Sequence, residues 1–290
     1  MIYISMKIDT LICSGGGPSG VAYNGIIKAL FEKGILNQNL DGIKEIITTS
    51  IGILFSFCIL LKMDYRVANE ICLGFDFNSM LDFETITIDN LLVDHGFFET
   101  DGLKNIFQSI IKNKLKREDI TLQELYDLTQ IQLTVKVFNV TKKHVEYLSY
   151  LNYPELSVIT LAQMTTAIPL FFKPVQYKGN MYVDGGLRGH FPIEVCNSEN
   201  YLGIFIAGGS FPKDSQMIQL FPLLEFLYSL MINQDEVVYQ IKKKNINPRI
   251  IYNEVNLGLD FNVKKETKER VIQEAYENTI KHIETYLLDE

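Results

Sequence analysis

Thr10-Leu11-Ile12-Cys13 runs into Ser14-Gly15-Gly16-Gly17-Pro18-Ser19-Gly20, and an amphipathic segment carrying Ile26, Ile27, Leu30 and Phe31 follows. A short apolar run, a glycine turn and a helical period read in order as strand, loop and helix. Pro18 suits the start of that helix, where its missing N–H costs nothing. A second unit of the same kind comes next. Ile43 to Thr48 forms an apolar strand that passes through Ser50-Ile51-Gly52 into another apolar helix. A serine on a sharp strand-to-helix turn has the geometry of a nucleophile elbow. If the two strands are neighbours, the glycine turn lies beside that serine and offers backbone N–H groups to an oxyanion. Asp184-Gly185-Gly186 supplies a carboxylate further on. These three elements together imply serine acyl-hydrolase chemistry.

Further strands are expected at Leu133–Val140, Val145–Ser149, Tyr182–Asp184 and Tyr201–Ala207, with Thr141-Lys142-Lys143 as a hairpin connection. Leu103, Ile106, Phe107, Ile110 and Ile111 keep helical spacing, and Ile272, Tyr276, Ile280, Ile283 and Leu287 form a second stripe. Strands alternating with helices of this length predict an α/β fold, with helices on both faces of a mainly parallel sheet. No repeat or Pro/Gly/Ser-rich linker divides the chain. The expectation is one domain over 1–290, with its motifs in 10–197 and a helical extension and last strand in 198–290. Leu220 to Ile232 has almost no polar face, which suits a buried helix or an apolar lip beside the site.

Composition narrows the function classes. Of 290 residues, 47% are hydrophobic, enough for a large core, and the net charge of −8 argues against a nucleic-acid partner. The same charge opposes capture by anionic lipid, so membrane contact must be apolar or local. The basic clusters Lys112 to Arg117 and Lys242 to Lys244 read as solvated surface. Cys13, Cys58, Cys72 and Cys196 form no CxxC pair and suit buried free thiols in a reducing compartment. No signal peptide is visible, and the apolar run Ile51 to Leu61 falls short of the roughly 20 residues a membrane span needs. A soluble, cytoplasmic protein without metal or cofactor is expected.

Gly15, Gly17 and Gly20 also satisfy the dinucleotide fingerprint G-x-G-x-x-G. That fold needs an acid at the end of the next strand, where this chain has Thr48-Thr49-Ser50. No Gly-Lys-Ser/Thr follows, which removes the NTPase phosphate loop. Ser50 needs a base. His282 comes after Asp184 in the order of α/β-hydrolases, but sits off its helix's apolar stripe and reads as solvated. His95 and His144 have no visible partner. Asp184, at a strand end before two glycines, is better placed, although an ordinary carboxylate is a weak base unless its site raises its pKa.

At this point the chain resembles the patatin-like phospholipases. The resemblance rests on the loop Gly15–Gly20, the elbow at Ser50 and Asp184-Gly185-Gly186. Thr165-Thr166-Ala167-Ile168-Pro169-Leu170-Phe171-Phe172-Lys173-Pro174-Val175, Pro192 and Leu259-Asp260-Phe261 add to it. It covers nearly the whole chain. It implies a patatin-like three-layer α/β/α fold and a Ser50–Asp184 dyad, with Gly15, Gly16 and Gly17 as oxyanion hole and Gly20, Gly52, Gly185 and Gly186 in support. It also implies a phospholipid or lysophospholipid substrate met transiently at a membrane or micelle surface. Three positions depart from the pattern. Thr48 replaces the first glycine of G-x-S-x-G, Ser19 stands where the glycine loop usually carries Arg or Lys, and His190 replaces an asparagine after the DGG motif. A branched Thr48 is expected to cost roughly 1–3 kcal/mol if the crossing is packed for glycine. If it also displaces Ser50, the fold would bind lipid without turning it over.

Overall fold

The computed structural model describes residues 7–76, 88–208, 247–255, 257 and 260–287. Its strands are β1 (Thr10–Cys13), β2 (Glu45–Thr49), β3 (Gly96–Phe98), β4 (Gln132–Asn139), β5 (His144–Leu148), β6 (Leu170–Phe172), β7 (Val175–Tyr177), β8 (Asn180–Asp184), β9 (Tyr201–Gly208) and β10 (Ile250–Val255). Among the described residues the helices are α1 (Ala22–Glu32), α2 (Gly52–Leu60), α3 (Tyr65–Gly74), α4 (Ile88–Val93), α5 (Asp101–Leu115), α6 (Leu122–Thr129), α7 (Val158–Thr166) and α8 (Lys265–His282). The main sheet runs in the order β10-β9-β1-β2-β4-β8-β7, with β5 also paired to β4. From β10 to β4 every pair is parallel, and β5, β7 and β8 add an antiparallel corner. This is the expected α/β fold, a mostly parallel sheet flanked by helices.

Pleating divides the apolar strands between two cores, because successive side chains point to opposite faces. Leu11, Cys13 and Ile46 join the large core with residues of α1, α2, α5 and α8. Ile12, Ile47, Phe205 and Ile250 point the other way, where Phe191, Ile193 and Val195 cover them. The helix after the glycine loop begins with the 3-10 turn Gly17–Val21, which holds Pro18 in its first turn. Helix α2 is apolar nearly all round and is buried accordingly.

Two sequence expectations are corrected here. Of the expected stripe, Ile283 and Leu287 are buried and Tyr276 and Ile280 pack against the core. The fully buried row within α8, however, is Lys268, Val271, Ala275 and Thr279, with Ile272, Tyr276 and Ile280 half-buried. The reason is the close approach of α1: a Cβ on Gly25 would lie 2.0 Å from the Ile272 carbonyl oxygen, so the seam takes small residues. His282 is not solvated but half-buried, with its Nε2–H donating to the Pro248 carbonyl at 2.9 Å. Around Lys112–Arg117, exposed ion pairs to Glu118 and Glu124 fit the solvated surface. Leu220–Ile232, Lys242–Lys244 and Leu259 lie outside the described residues.

Candidate active site

The register of β4 explains why Ser50 and Asp184 meet. Thr49, the last residue of β2, pairs with Lys136, and Asp184, the last of β8, pairs with Val137. Because β5 takes the other edge of β4, β2 and β8 share one edge end to end and run toward each other, so their last residues meet. The Ser50 hydroxyl donates to Asp184 Oδ2 at 2.5 Å, and both residues are buried.

Local bonds hold each partner. Ser50 has φ 52°, a left-handed conformation that costs a non-glycine residue of the order of 1–3 kcal/mol. Its backbone N–H donates to Thr165 Oγ1 at 2.8 Å, and the Thr165 hydroxyl donates to the Lys136 carbonyl at 2.8 Å. Asp184 donates its N–H to the Ala167 carbonyl at 2.9 Å, while its Oδ1 accepts from the Gly186 N–H at 2.7 Å. Burial pushes the Asp184 carboxyl up to about 6, against the opposing pull of the Ser50 hydroxyl, the Gly186 N–H and the Lys136 charge. A buried carboxylate that holds a serine proton and titrates near neutrality has the attributes of a general base.

The glycine loop faces this pair: a Cβ on Gly15 would lie 3.0 Å from the Ser50 Cβ. The three loop glycines are not equivalent, which narrows the sequence expectation. The Gly15 N–H donates to the His190 carbonyl at 2.8 Å and is not free for an anion. Among the described residues, the N–H groups of Gly16 and Gly17 have no acceptor. Gly20 leaves room for Ile51, whose Cγ2 would be 2.8 Å from a Cβ there, and Gly185 lies against the Lys136 backbone.

Thr48, Ser19 and His190 depart from the expected pattern, and the buried Thr48 hydroxyl has no hydrogen-bond partner among the described residues. Thr48 is buried with Oγ1 in the space that a Cβ on Gly52 would need, 2.5 Å from it. Thr48 does not displace Ser50, which keeps its bond to Asp184. Ser19 is buried and donates to the Val255 carbonyl at 3.4 Å. His190 contributes its backbone carbonyl to the glycine loop, and its ring Nε2–H donates to the Ile206 carbonyl at 3.2 Å. His144 lies 3.3 Å from Glu146, at the hairpin.

An apolar cavity, partly open to solvent, begins at Ser50. One wall is α2, with Ile51, Leu54, Phe55 and Cys58. The others are α3 and α5, the latter through Leu103, Ile106 and Ile110. Cys58 stands eight residues from Ser50, roughly 12 Å along the helix. Burial raises the thiols of Cys58 and Cys72 to about 12 and about 11, so both stay neutral and line the cavity as small apolar groups. Sequence reasoning did not find this cavity, because three helices separated along the chain build it. It also missed Lys136, whose only signal is a lone lysine inside the apolar run Leu133–Phe138. No group of His, Cys, Asp and Glu fit to hold a metal occurs among the described residues.

Comparison with known proteins gives a family and a fold. The family described as patatin-like phospholipase matches residues 11–196. A probable lipid hydrolase, 463L of Invertebrate iridescent virus 6, is 27% identical over 64% of this chain and 62% of its own length. The match therefore spans about three fifths of that relative. An uncharacterized protein, R571 of Acanthamoeba polyphaga mimivirus, is 22% identical over 92% of this chain and 91% of its own length. Among solved structures, VipD from Legionella pneumophila superposes with a TM-score of 0.62 at 18% identity, over 97% of this chain and 67% of VipD. ExoU from Pseudomonas aeruginosa gives 0.51 at 14% identity, over 97% of this chain and 53% of its own. At those identities the likeness is one of fold.

Proposed function

We propose, since this chain belongs to the patatin-like phospholipase family, that it hydrolyses fatty-acyl esters of phospholipids or lysophospholipids through Ser50 and Asp184. The observation that carries this reading is the 2.5 Å Ser50–Asp184 bond at the mouth of an apolar cavity. Asp184 Oδ2 takes the Ser50 proton as Oγ bonds to the ester carbonyl carbon. The carbonyl oxygen becomes an oxyanion, and the N–H groups of Gly16 and Gly17 receive it. Collapse breaks the ester C–O bond, and the departing alcohol takes the proton from Asp184. Water then gives a proton to Asp184 and attacks the acyl-enzyme. Release of the fatty acid returns that proton to Ser50.

Two measurements test this reading. A fluorophosphonate is expected to label wild-type protein at Ser50, and long-chain acyl lipids are expected to be turned over in preference to acetyl esters. Absence of labelling, or a preference for acetyl esters, would overturn it. Because Asp184 must be ionised to accept a proton, kcat/KM is expected to fall about tenfold per pH unit below pH 6, the free-enzyme limb that its raised pKa sets.

The cavity sets acyl-chain length. Ala68, Ile71, Cys72 and Phe75 form its α3 wall at i, i+3, i+4 and i+7, and Ala68 is the smallest of them. Ala68→Phe is expected to lower kcat/KM for long chains by roughly 10–100-fold while sparing short ones, since each methylene excluded from an apolar pocket is worth about 1–3 kcal/mol. An unchanged chain-length profile would place the acyl chain elsewhere. No described helix is long and apolar enough to cross a membrane.

A further inference from the structure

The reaction outlined above leaves one buried charge unused. Lys136 is 1% exposed, in the middle of β4, at the level where the strands that end at Ser50 and Asp184 meet. Its ammonium has three protons and three acceptors: the carbonyls of Arg188 at 2.8 Å and Gly189 at 2.7 Å, and Glu194 Oε1 at 2.6 Å. Arg188 and Gly189 close the turn that starts at Asp184. We infer that Lys136 is a positioning residue, which ties down the loop carrying Asp184 and sets a positive charge beneath the carboxylate.

Three features support this role. The loop has no slack against β4, because a Cβ on Gly185 would lie 2.5 Å from the Lys136 carbonyl oxygen. That same carbonyl accepts from Thr165, the residue that accepts the Ser50 N–H, so one strand position serves both partners. A buried ammonium with every proton bonded is also expensive to replace: an apolar side chain takes the donor from the Arg188 and Gly189 carbonyls and one of two donors from Glu194.

Among the described residues, the charged and titratable groups near Asp184 are these. Lys136 acts on it from β4. Arg188 is exposed, with its guanidinium over the Phe138 ring, and the His190 ring is turned to the Ile206 carbonyl. Glu194 lies on the other side of Lys136, where it also accepts from the Tyr147 hydroxyl at 2.5 Å. Lys136 favours ionised Asp184, while Glu194 offsets part of the Lys136 charge. Removing one or the other must therefore move the Asp184 titration in opposite directions.

The inference rests on Asp184 acting as base to Ser50, and the test separates the two ideas. The rate of Ser50 labelling by a fluorophosphonate is followed against pH in wild type, Lys136→Met and Glu194→Gln, with Ser50→Ala as blank. In Lys136→Met, labelling is expected to slow at least tenfold and the acidic limb to move to higher pH. In Glu194→Gln the limb is expected to move to lower pH. A structural role alone would change rates or melting temperatures without this opposition. Limbs that stay with wild type, or shift together, overturn the inference while Ser50-dependent labelling keeps the dyad. Labelling that survives in Ser50→Ala overturns both. If Lys136→Met does not fold, Glu194→Gln decides alone: a lower limb supports the inference, and an unmoved or higher one rejects it.

Discussion

Ser50→Ala and Asp184→Asn are each expected to lower turnover by roughly 10⁴-fold or more, and the double variant by little further, because members of one catalytic unit are not additive. The two variants should differ in stability. Asp184 is held at about 6 from an ordinary 3.8, chiefly by burial. A carboxyl whose pKa is raised on folding binds its proton more tightly folded than unfolded. Stability therefore falls as pH rises from about 4 to 6, and stays lower above that. Asparagine keeps the shape and carries no charge, so Asp184→Asn is expected to gain about 1–3 kcal/mol at pH 8 and nothing near pH 3. Urea unfolding at the two pH values checks this. An Asp184→Asn protein that keeps more than a hundredth of wild-type turnover would remove the aspartate from the chemistry. One that is less stable at pH 8 would contradict the cost assigned to its burial.

Local patterns carried the parts of the fold that are local in cause. β1, the glycine loop and α1 are contiguous, and so are β2, the elbow and α2; each unit has its apolar period and its turn chemistry side by side. Asp184 was legible because a strand end followed by two glycines marks a close backbone approach, and Gly185 is indeed packed on β4. Contacts between distant segments were not legible. His190 takes the Gly15 N–H from far along the chain, a pairing that glycine spacing cannot report. The buried row of α8 follows the approach of Gly25, which apolar spacing cannot report. β3, β6, β7 and β10 are short or broken by polar residues, and their pairing comes from their neighbours. Lys136 was not singled out in the sequence, because its acceptors at Arg188, Gly189 and Glu194 lie about fifty residues further on.

Gly52→Ala is expected to damage the elbow more than any other single methyl. The added Cβ would lie 2.5 Å from Thr48 Oγ1, 2.6 Å from the Ser14 carbonyl oxygen and 3.2 Å from that of Cys13. Thr48 has a flexible end, but the Ser14 carbonyl belongs to the start of the glycine loop and is fixed by the Tyr23 hydroxyl at 2.6 Å. The helix must therefore move away from β1 and take Ser50 with it. Overpacking of this kind costs about 1–3 kcal/mol, and a displacement of about 1 Å at the nucleophile costs roughly 100-fold in rate. Thr48→Gly alone is expected to destabilise by about 1–2 kcal/mol, through strand entropy and a small cavity, without raising turnover. In Gly52→Ala/Thr48→Gly one of the two close clashes is gone and the backbone clash remains, so part of the loss should return. Turnover rising more than tenfold in Thr48→Gly alone would show that Thr48 holds Ser50 out of place, against the bond it makes to Asp184.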